Sequence, residues 1–488
     1  MAMGTRKKRE EQERQEGFWV VASALVRTPA HAFYDQLNKL LEGNKFDVCV
    51  EHLCRRYYQG TLGRPSIEPG VYFRALLLGY FEGIDSERGI AWRLADSLSM
   101  RRFIAYGLTA ETPDHSTISR TRRLYSLETH KAVFRWVLKR LVEAGLVEGK
   151  TVAVDATTLE ANAAMRSLVR RENGQSYEDY LKGLARAAGM VNPTKEQLAR
   201  WDRKRKKKGS NKEWKNPHDP EARVTKMKDG STHLAYKAEH GVDLSSGALL
   251  AVTIQGAGKG DTTTIHETLA EAGEAVAEMI EHEATTQPTE EPKVNLGGVE
   301  EAVADKGYHS GPVLQDLNKV NCRGYIPEPD RGKRKWAGKA DEQKQVYANR
   351  RRIRGERSKR LQRKRTELTE RSMAHMYETG GMRRVHLRGK SNILKRVLIH
   401  AAGFNLALIM RKSIGVGKPR RLQGVSKPSM QALSDRLSSI LSRHGAISHF
   451  NITTNHQSNI SLVTIASAVT SYHQCCGVLI GHGVRRTI

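Results

Sequence analysis

Residues 151–163 read TVAVDATTLEANA. Thr-Val-Ala-Val is a short run of small and β-branched residues that suits a strand, and it closes on an acid, Asp155. A second run of this kind, GGVEEAVADKGYH at 297–309, ends on Asp305. Between them lie two longer strand-like runs, THLAYKAEHGVDL (232–244) and ALLAVTIQ (248–255). Ser245, Ser246 and Gly247 join these as a hairpin. Residues 262–282 and 312–319 have helical spacing, CRGYIPEP (322–329) is a further strand, and 391–411 is a long apolar helix. The order is strand, insert, two strands, helix, strand, helix, strand, helix. That order predicts a mixed α/β fold, a mixed sheet covered by helices.

Working outward, residues 31–148 carry helical periodicity, with Phe33, Leu37, Leu40 and Leu41 on one face and Tyr72, Leu76 and Leu77 on another. GRPSIEP (63–69) breaks this region before its second helix. TPDHSTISRTRR (112–123) reads as a helix start capped by Asp114 or Ser116. Residues 165–228 are polar and basic, with RKRKKKG at 203–209, and read as a partly flexible insert after the first strand. The expected division is a charged, frayed lead-in over 1–30, a helical domain over 31–148, a core over 149–412 and a tail over 413–488 without an assignable role.

The chain holds 81 Lys and Arg against 53 Asp and Glu, a surplus of +28 that points first to nucleic acid. Its five cysteines, Cys49, Cys54, Cys322, Cys475 and Cys476, form no CxxC pair, which excludes a disulfide scaffold and argues against structural zinc. The N-terminus opens on charge rather than an apolar segment, and no apolar run reaches 18 uninterrupted residues. The expectation is a cytoplasmic, nucleoid-associated protein with no membrane partner.

An acid at the end of an apolar strand is costly unless paired or bound to a cation. Two such carboxylates at neighbouring strand ends form an oxygen-rich site suited to Mg²⁺ or Mn²⁺. For either acid alone, a turn or cap role is the more common reading. ELTERSMAH (367–375) offers Glu367 and Glu370, three apart on a helix. This helix follows ten basic residues in the sixteen positions 350–365. Acids to hold metal beside bases to hold phosphates is the arrangement that phosphodiester chemistry requires. GAGKGDT (256–262) does not meet the phosphate-loop pattern, because Gly260 follows Lys259.

The linked set GRPSIEP, VAVDATTLEANA, HLAYKAEHGVDLSSGAL, VADKGYHS, ERSMAHMYETGGMRRVHLRG and AAGFNLALIMR resembles the DDE-type transposases of bacterial insertion sequences, over residues 30–415. The resemblance implies an RNase H-like catalytic core and a two-metal site that cuts double-stranded DNA at element ends and joins it to a target. It matches Asp155 to the first acid, Asp305 to the second and Glu370 to the third, holding two Mg²⁺ (or Mn²⁺) ions. Met373 stands where the family usually has an aromatic. The active complex is expected to be a homo-oligomer.

For DNA contacts the reading selects Arg120, Arg122 and Arg123 on the helix after Asp114, as a major-groove element. It adds Arg350, Arg351, Arg352 and Arg354 in the basic run. Arg371, Arg383, Arg384 and Arg388 follow Glu370 and complete the set as phosphate contacts. Lys306 and Tyr308 are further phosphate candidates beside Asp305. A nuclease of the same core that does not join, and a DNA-binding protein without activity, are the alternatives.

Overall fold

The structure, a computed structural model, describes residues 31–59, 66–205, 210–227, 230–286, 291–330, 332 and 334–422, with residues 3, 6 and 7. Most of the lead-in and nearly all of the tail lie outside the described residues. Arg6, the exception in the lead-in, pairs with Asp47 at 3.1 Å and Glu42 at 3.3 Å.

Among the described residues from 31 onward seven α-helices come first: α1 (Ala32–Gly43), α2 (Phe46–Cys54), α3 (Pro69–Glu82), α4 (Glu87–Asp96), α5 (Leu98–Phe103), α6 (His115–Leu124) and α7 (Leu127–Glu143). Asp114 caps α6 as expected, its carboxylate accepting the Thr117 amide at 2.6 Å. The helix α3 is buried on nearly every side, which is why its apolar residues run almost without interruption.

The sheet follows. Its strands are β1 (Thr151–Glu160), β4 (Arg223–Lys226), β5 (Thr232–Asp243), β6 (Leu249–Gly256), β7 (Glu301–Ala304) and β8 (Arg323–Tyr325); β2 (Val169–Arg170) and β3 (Trp214–Lys215) form a separate small ribbon. The order is β4, β5, β1, β7, β8, with β6 also paired to β5. Strands β6, β5 and β1 run antiparallel, while β1, β7 and β8 run parallel. The β5–β6 hairpin closes at Gly247, whose φ of 79° lies in the left-handed region. The insert also differs from expectation. It holds two helices, α8 (Tyr177–Ala187) and α9 (Lys195–Lys204), which share a small apolar cluster of Leu181, Ala185 and Leu198.

The remaining helices are α10 (Asp261–Thr286), α11 (Gly311–Lys319), α12 (Ala340–Arg354), α13 (Glu356–Met373) and α14 (Lys390–Ile414). The helix α10 lies on one face of the sheet and α13 on the other, as their bonds to Glu239 and His240 of β5 show. The long apolar helix α14 has the length and hydropathy of a membrane span, yet 94% of that window is buried in protein. It packs on α3, α7 and β6. Asn405 fixes the last contact by exchanging two bonds with the Leu249 backbone, at 2.9 and 2.8 Å. On the other side α7 meets α10 through Lys131–Glu271 at 2.5 Å and Arg135–Glu274 at 2.8 Å. The N-terminal helices and the sheet therefore share one continuous hydrophobic core.

Candidate active site

Strand β1 does not stop at Asp155, as the sequence reading expected. It pairs with β5 from Val152↔Asp243 through Glu160↔Ala235, so Asp155 stands mid-strand opposite His240. The β-favouring Thr157, Thr158 and Leu159 carry the ladder onward. Asp305 does end its strand: β7 stops at Ala304, and the Asp305 carboxylate accepts the Gly307 amide at 2.8 Å, capping a single 3₁₀ turn, Lys306–Tyr308. The parallel register sets Val154 beside Ala304, so the next residues, Asp155 and Asp305, are neighbours at one end of the β1–β7 pair.

Helix α13 supplies the third side. Gln362, Arg365, Thr369 and Ser372, three or four residues apart, share the face turned to the sheet. Gln362 donates to the carbonyls of Ala304 (3.2 Å) and Tyr325 (2.8 Å), anchoring the helix over β7 and β8. Arg365 and Thr369 both reach Asp155 Oδ2, at 2.8 and 3.1 Å. Ser372 hydrogen-bonds His240 Nδ1 at 2.9 Å, and Tyr377, in the π-helical turn that continues α13, bonds the other ring nitrogen at 2.6 Å. Burial pushes the His240 imidazole down to about 3, so it is neutral and its two partners fix its ring.

Glu370 follows Thr369 directly and is exposed. Among the described residues no hydrogen bond or ion pair joins Glu370 to either aspartate, and no three Asp, Glu, His or Cys side chains form a ready-made metal cage. The donor set itself suits a hard divalent cation. Burial raises the Asp155 carboxyl above its ordinary range, and the Asp305 carboxylate adds to the rise while Arg365 opposes it. Two like charges at one sheet end are what an oxygen-seeking cation relieves.

The basic residues divide. Arg120 and Arg123 are exposed on α6, but Arg122 is buried, paired with Glu87 at 3.2 Å, and its carbonyl accepts Lys395 at 3.1 Å. It is a core ion pair and not a groove contact, because α6 packs that face inward. Arg351 and Arg354 are exposed without a partner among the described residues. Arg350 is tied to Glu328 at 2.6 Å, and Arg352 donates to the Gly324 carbonyl at 3.1 Å. Arg371 is half-buried with an unbonded Nε. Arg383 pairs with Glu378 and donates to Thr157 and Thr158 of β1. Arg384 and Arg388 are exposed, near Glu160 at 3.6 Å and the Asn162 carbonyl at 3.2 Å. Tyr308 is buried with its hydroxyl donated to Glu239, whereas Lys306 is exposed. Sequence reasoning missed Gln362, Thr369 and Glu239, and counted Arg365 only as one of a basic run. The acid inside an apolar strand, AYKAEHGV, was a signal for Glu239.

Two families of known proteins match the chain: a transposase domain (DUF772) over residues 22–124, and a transposase DDE domain over residues 319–410. The chain carries an N-terminal transposase domain and a transposase DDE domain. A search of curated proteins finds no match to it. The DDE match begins at the end of α11 and covers α12, α13 and most of α14, so it includes Glu370 and the helix face that reaches Asp155. A DDE domain implies an RNase H-like core and the use of divalent metal. Membership in a transposase family also implies DNA binding.

Proposed function

We propose that this transposase cuts DNA at the ends of an insertion element and transfers the freed strand into target DNA. The observation that carries the reading is the β1–β7 register, which puts Asp155 beside Asp305 while Thr369 of α13, the helix that carries Glu370, bonds Asp155. The sheet order, an antiparallel trio continued by two parallel strands, supports an RNase H-like core.

Asp155, Asp305 and Glu370 would hold Mg²⁺ or Mn²⁺. When bound, such ions activate the attacking water or 3′-hydroxyl and stabilise the leaving oxygen. The chain's own groups do the rest. Asp155 and Asp305 would offer their carboxylate oxygens to the cations. Thr369 and Arg365 hold the Asp155 carboxylate in one orientation, and the Arg365 guanidinium is near enough to that carboxylate to take a phosphate oxygen. The exposed Arg351, Arg354, Arg384 and Arg388 grip the backbone of the substrate, and Arg120 and Arg123 read its grooves. No serine or tyrosine nucleophile is needed.

The test incubates the full chain with Mg²⁺ and labelled DNA that carries the sequences flanking its own coding region. A nick or cut at a fixed flank position, followed by a product joined to unlabelled target, supports transposition. Cutting without joining would make it a nuclease, and retention of the DNA without cutting a binding protein.

A further inference from the structure

On the opposite face of the sheet from α13 lies a polar network that the reaction as described does not use. Its centre is Glu239 on β5, a wholly buried carboxylate. A buried charge is tolerated only when its oxygens are fully engaged. Here Thr264 of α10 donates to Oε1 at 2.8 Å, Thr268 to Oε2 at 2.5 Å, and Lys237 lies 3.2 Å from Oε1. The fourth donor comes from outside the strand and helix: the Tyr308 hydroxyl, 2.8 Å from Oε1. Burial, aided by the Glu239 charge, pushes the Tyr308 phenol up, so it keeps its proton and donates.

Tyr308 is the last residue of the 3₁₀ turn that Asp305 caps. The turn is therefore clamped at both ends, by the Asp305 carboxylate on the Gly307 amide and by Glu239 on the Tyr308 hydroxyl. Space around it is tight. A Cβ built on Gly307 would come within 2.5 Å of Asp261 Oδ2 and 3.0 Å of Asp305 Oδ1. Asp261 itself is held by Lys237 at 2.5 Å, and the same ammonium reaches Thr264 at 2.7 Å. One buried lysine thus ties Asp261 and Glu239 into a single unit beside Asp305.

We propose that Glu239 is a positioning residue for Asp305, acting through the Tyr308 hydroxyl to fix the turn from which the Asp305 carboxylate projects. The proposal rests on the two-metal reading above. Partners that orient a ligating carboxylate typically change metal affinity by about 10–100-fold when removed.

The experiment measures Mn²⁺ binding to the full chain by electron paramagnetic resonance, and cleavage against Mg²⁺ concentration, for the wild type, Tyr308→Phe, Glu239→Gln and Asp305→Asn. Tyr308→Phe deletes one hydroxyl and keeps the ring, so it is the variant least able to unfold the chain. The expected result is Mn²⁺ affinity lowered about tenfold in Tyr308→Phe and Glu239→Gln, with half-maximal cleavage moved to about tenfold higher Mg²⁺. In Tyr308→Phe, maximal cleavage at saturating metal, thermal midpoint and DNA affinity should stay near wild type. If Tyr308→Phe binds Mn²⁺ as the wild type does while Asp305→Asn loses it, the positioning role is overturned and the two-metal reading stands. If wild type and Asp305→Asn bind Mn²⁺ alike, the two-metal reading fails and this proposal with it.

Discussion

Arg365 holds Asp155: its Nη1 lies 2.8 Å from Oδ2, joining residues 210 positions apart across the helix–sheet boundary. The pair sets the ionisation of the site. Burial raises the Asp155 carboxyl, and the guanidinium is the largest influence opposing that rise. Removing it leaves the upward push of burial and of Asp305 less opposed. If cleavage uses the Asp155 carboxylate as proposed, the acid limb of the rate–pH profile should move to higher pH in Arg365→Ala, and Arg365→Lys should move it less. A profile of cleavage rate against pH at saturating Mg²⁺ checks this; an unmoved limb would mean that Asp155 does not govern it.

How far this site was legible in the sequence varies residue by residue. Two strand-like runs joined by Ser245, Ser246 and Gly247 gave the β5–β6 hairpin, and the acid closing a short apolar run gave Asp305 its strand end. The mid-strand position of Asp155 was hidden because Asp is rare inside strands, and only tertiary pairing with His240 carries β1 past it. The helices of the insert were overlooked because their apolar residues are few, although Thr194 with Gln197 is a capping box and Ser176 a further N-cap. The burial of Arg122 was not legible, since a basic helix face reads as solvated until its partner, Glu87 on α4, is placed. The contact of Thr369 with Asp155 needs the docking angle of α13, which no local pattern encodes.

The two fates of the α6 arginines separate stability from recognition. Arg122→Ala leaves the partly buried Glu87 without its partner and should cost about 2 kcal/mol of stability. Arg120→Ala and Arg123→Ala should leave the denaturation midpoint in place and weaken binding to element-end DNA. Urea denaturation beside a DNA titration distinguishes them. A stable Arg122→Ala protein would mean that the pair contributes little.

Salt dependence should locate the backbone contacts. Each phosphate contact removed should lower the magnitude of the log–log slope of DNA affinity against salt by about 0.9. Arg351→Ala with Arg354→Ala, both exposed and unpaired among the described residues, should therefore flatten it by roughly 2. Arg350→Ala and Arg352→Ala should change it less, because Glu328 and the Gly324 carbonyl already engage them. An unchanged slope in the first pair would move the contacts to other basic surfaces.

Acid should destabilise the fold through its buried histidines. Burial pushes His240 and His130 each down to about 3, while the unfolded chain takes up protons near the ordinary 6.5. Between those values the unfolded state binds more protons, so stability is intact above about 6.5 and falls as pH drops towards 3, by roughly 1.4 kcal/mol per unit for each histidine. Thermal midpoints from pH 7 to 4 check the slope. His240→Gln should be less stable at pH 7 and show a shallower loss; an equal slope in that variant would remove His240 from the account.

The most direct test of the central claim is cleavage of element-end DNA by Asp155→Asn, Asp305→Asn and Glu370→Gln, with binding measured on the same preparations. A three-carboxylate site requires cleavage to fall by roughly a thousandfold or more in each, with DNA affinity held within about twofold, because the carboxylates hold metal and the basic surface is untouched. Glu370→Gln is the decisive variant, since Asp155 and Asp305 are brought together by the sheet and the role of Glu370 is a proposal. Cleavage at the wild-type rate by Glu370→Gln, or loss of binding in step with loss of cleavage in all three, would contradict the claim.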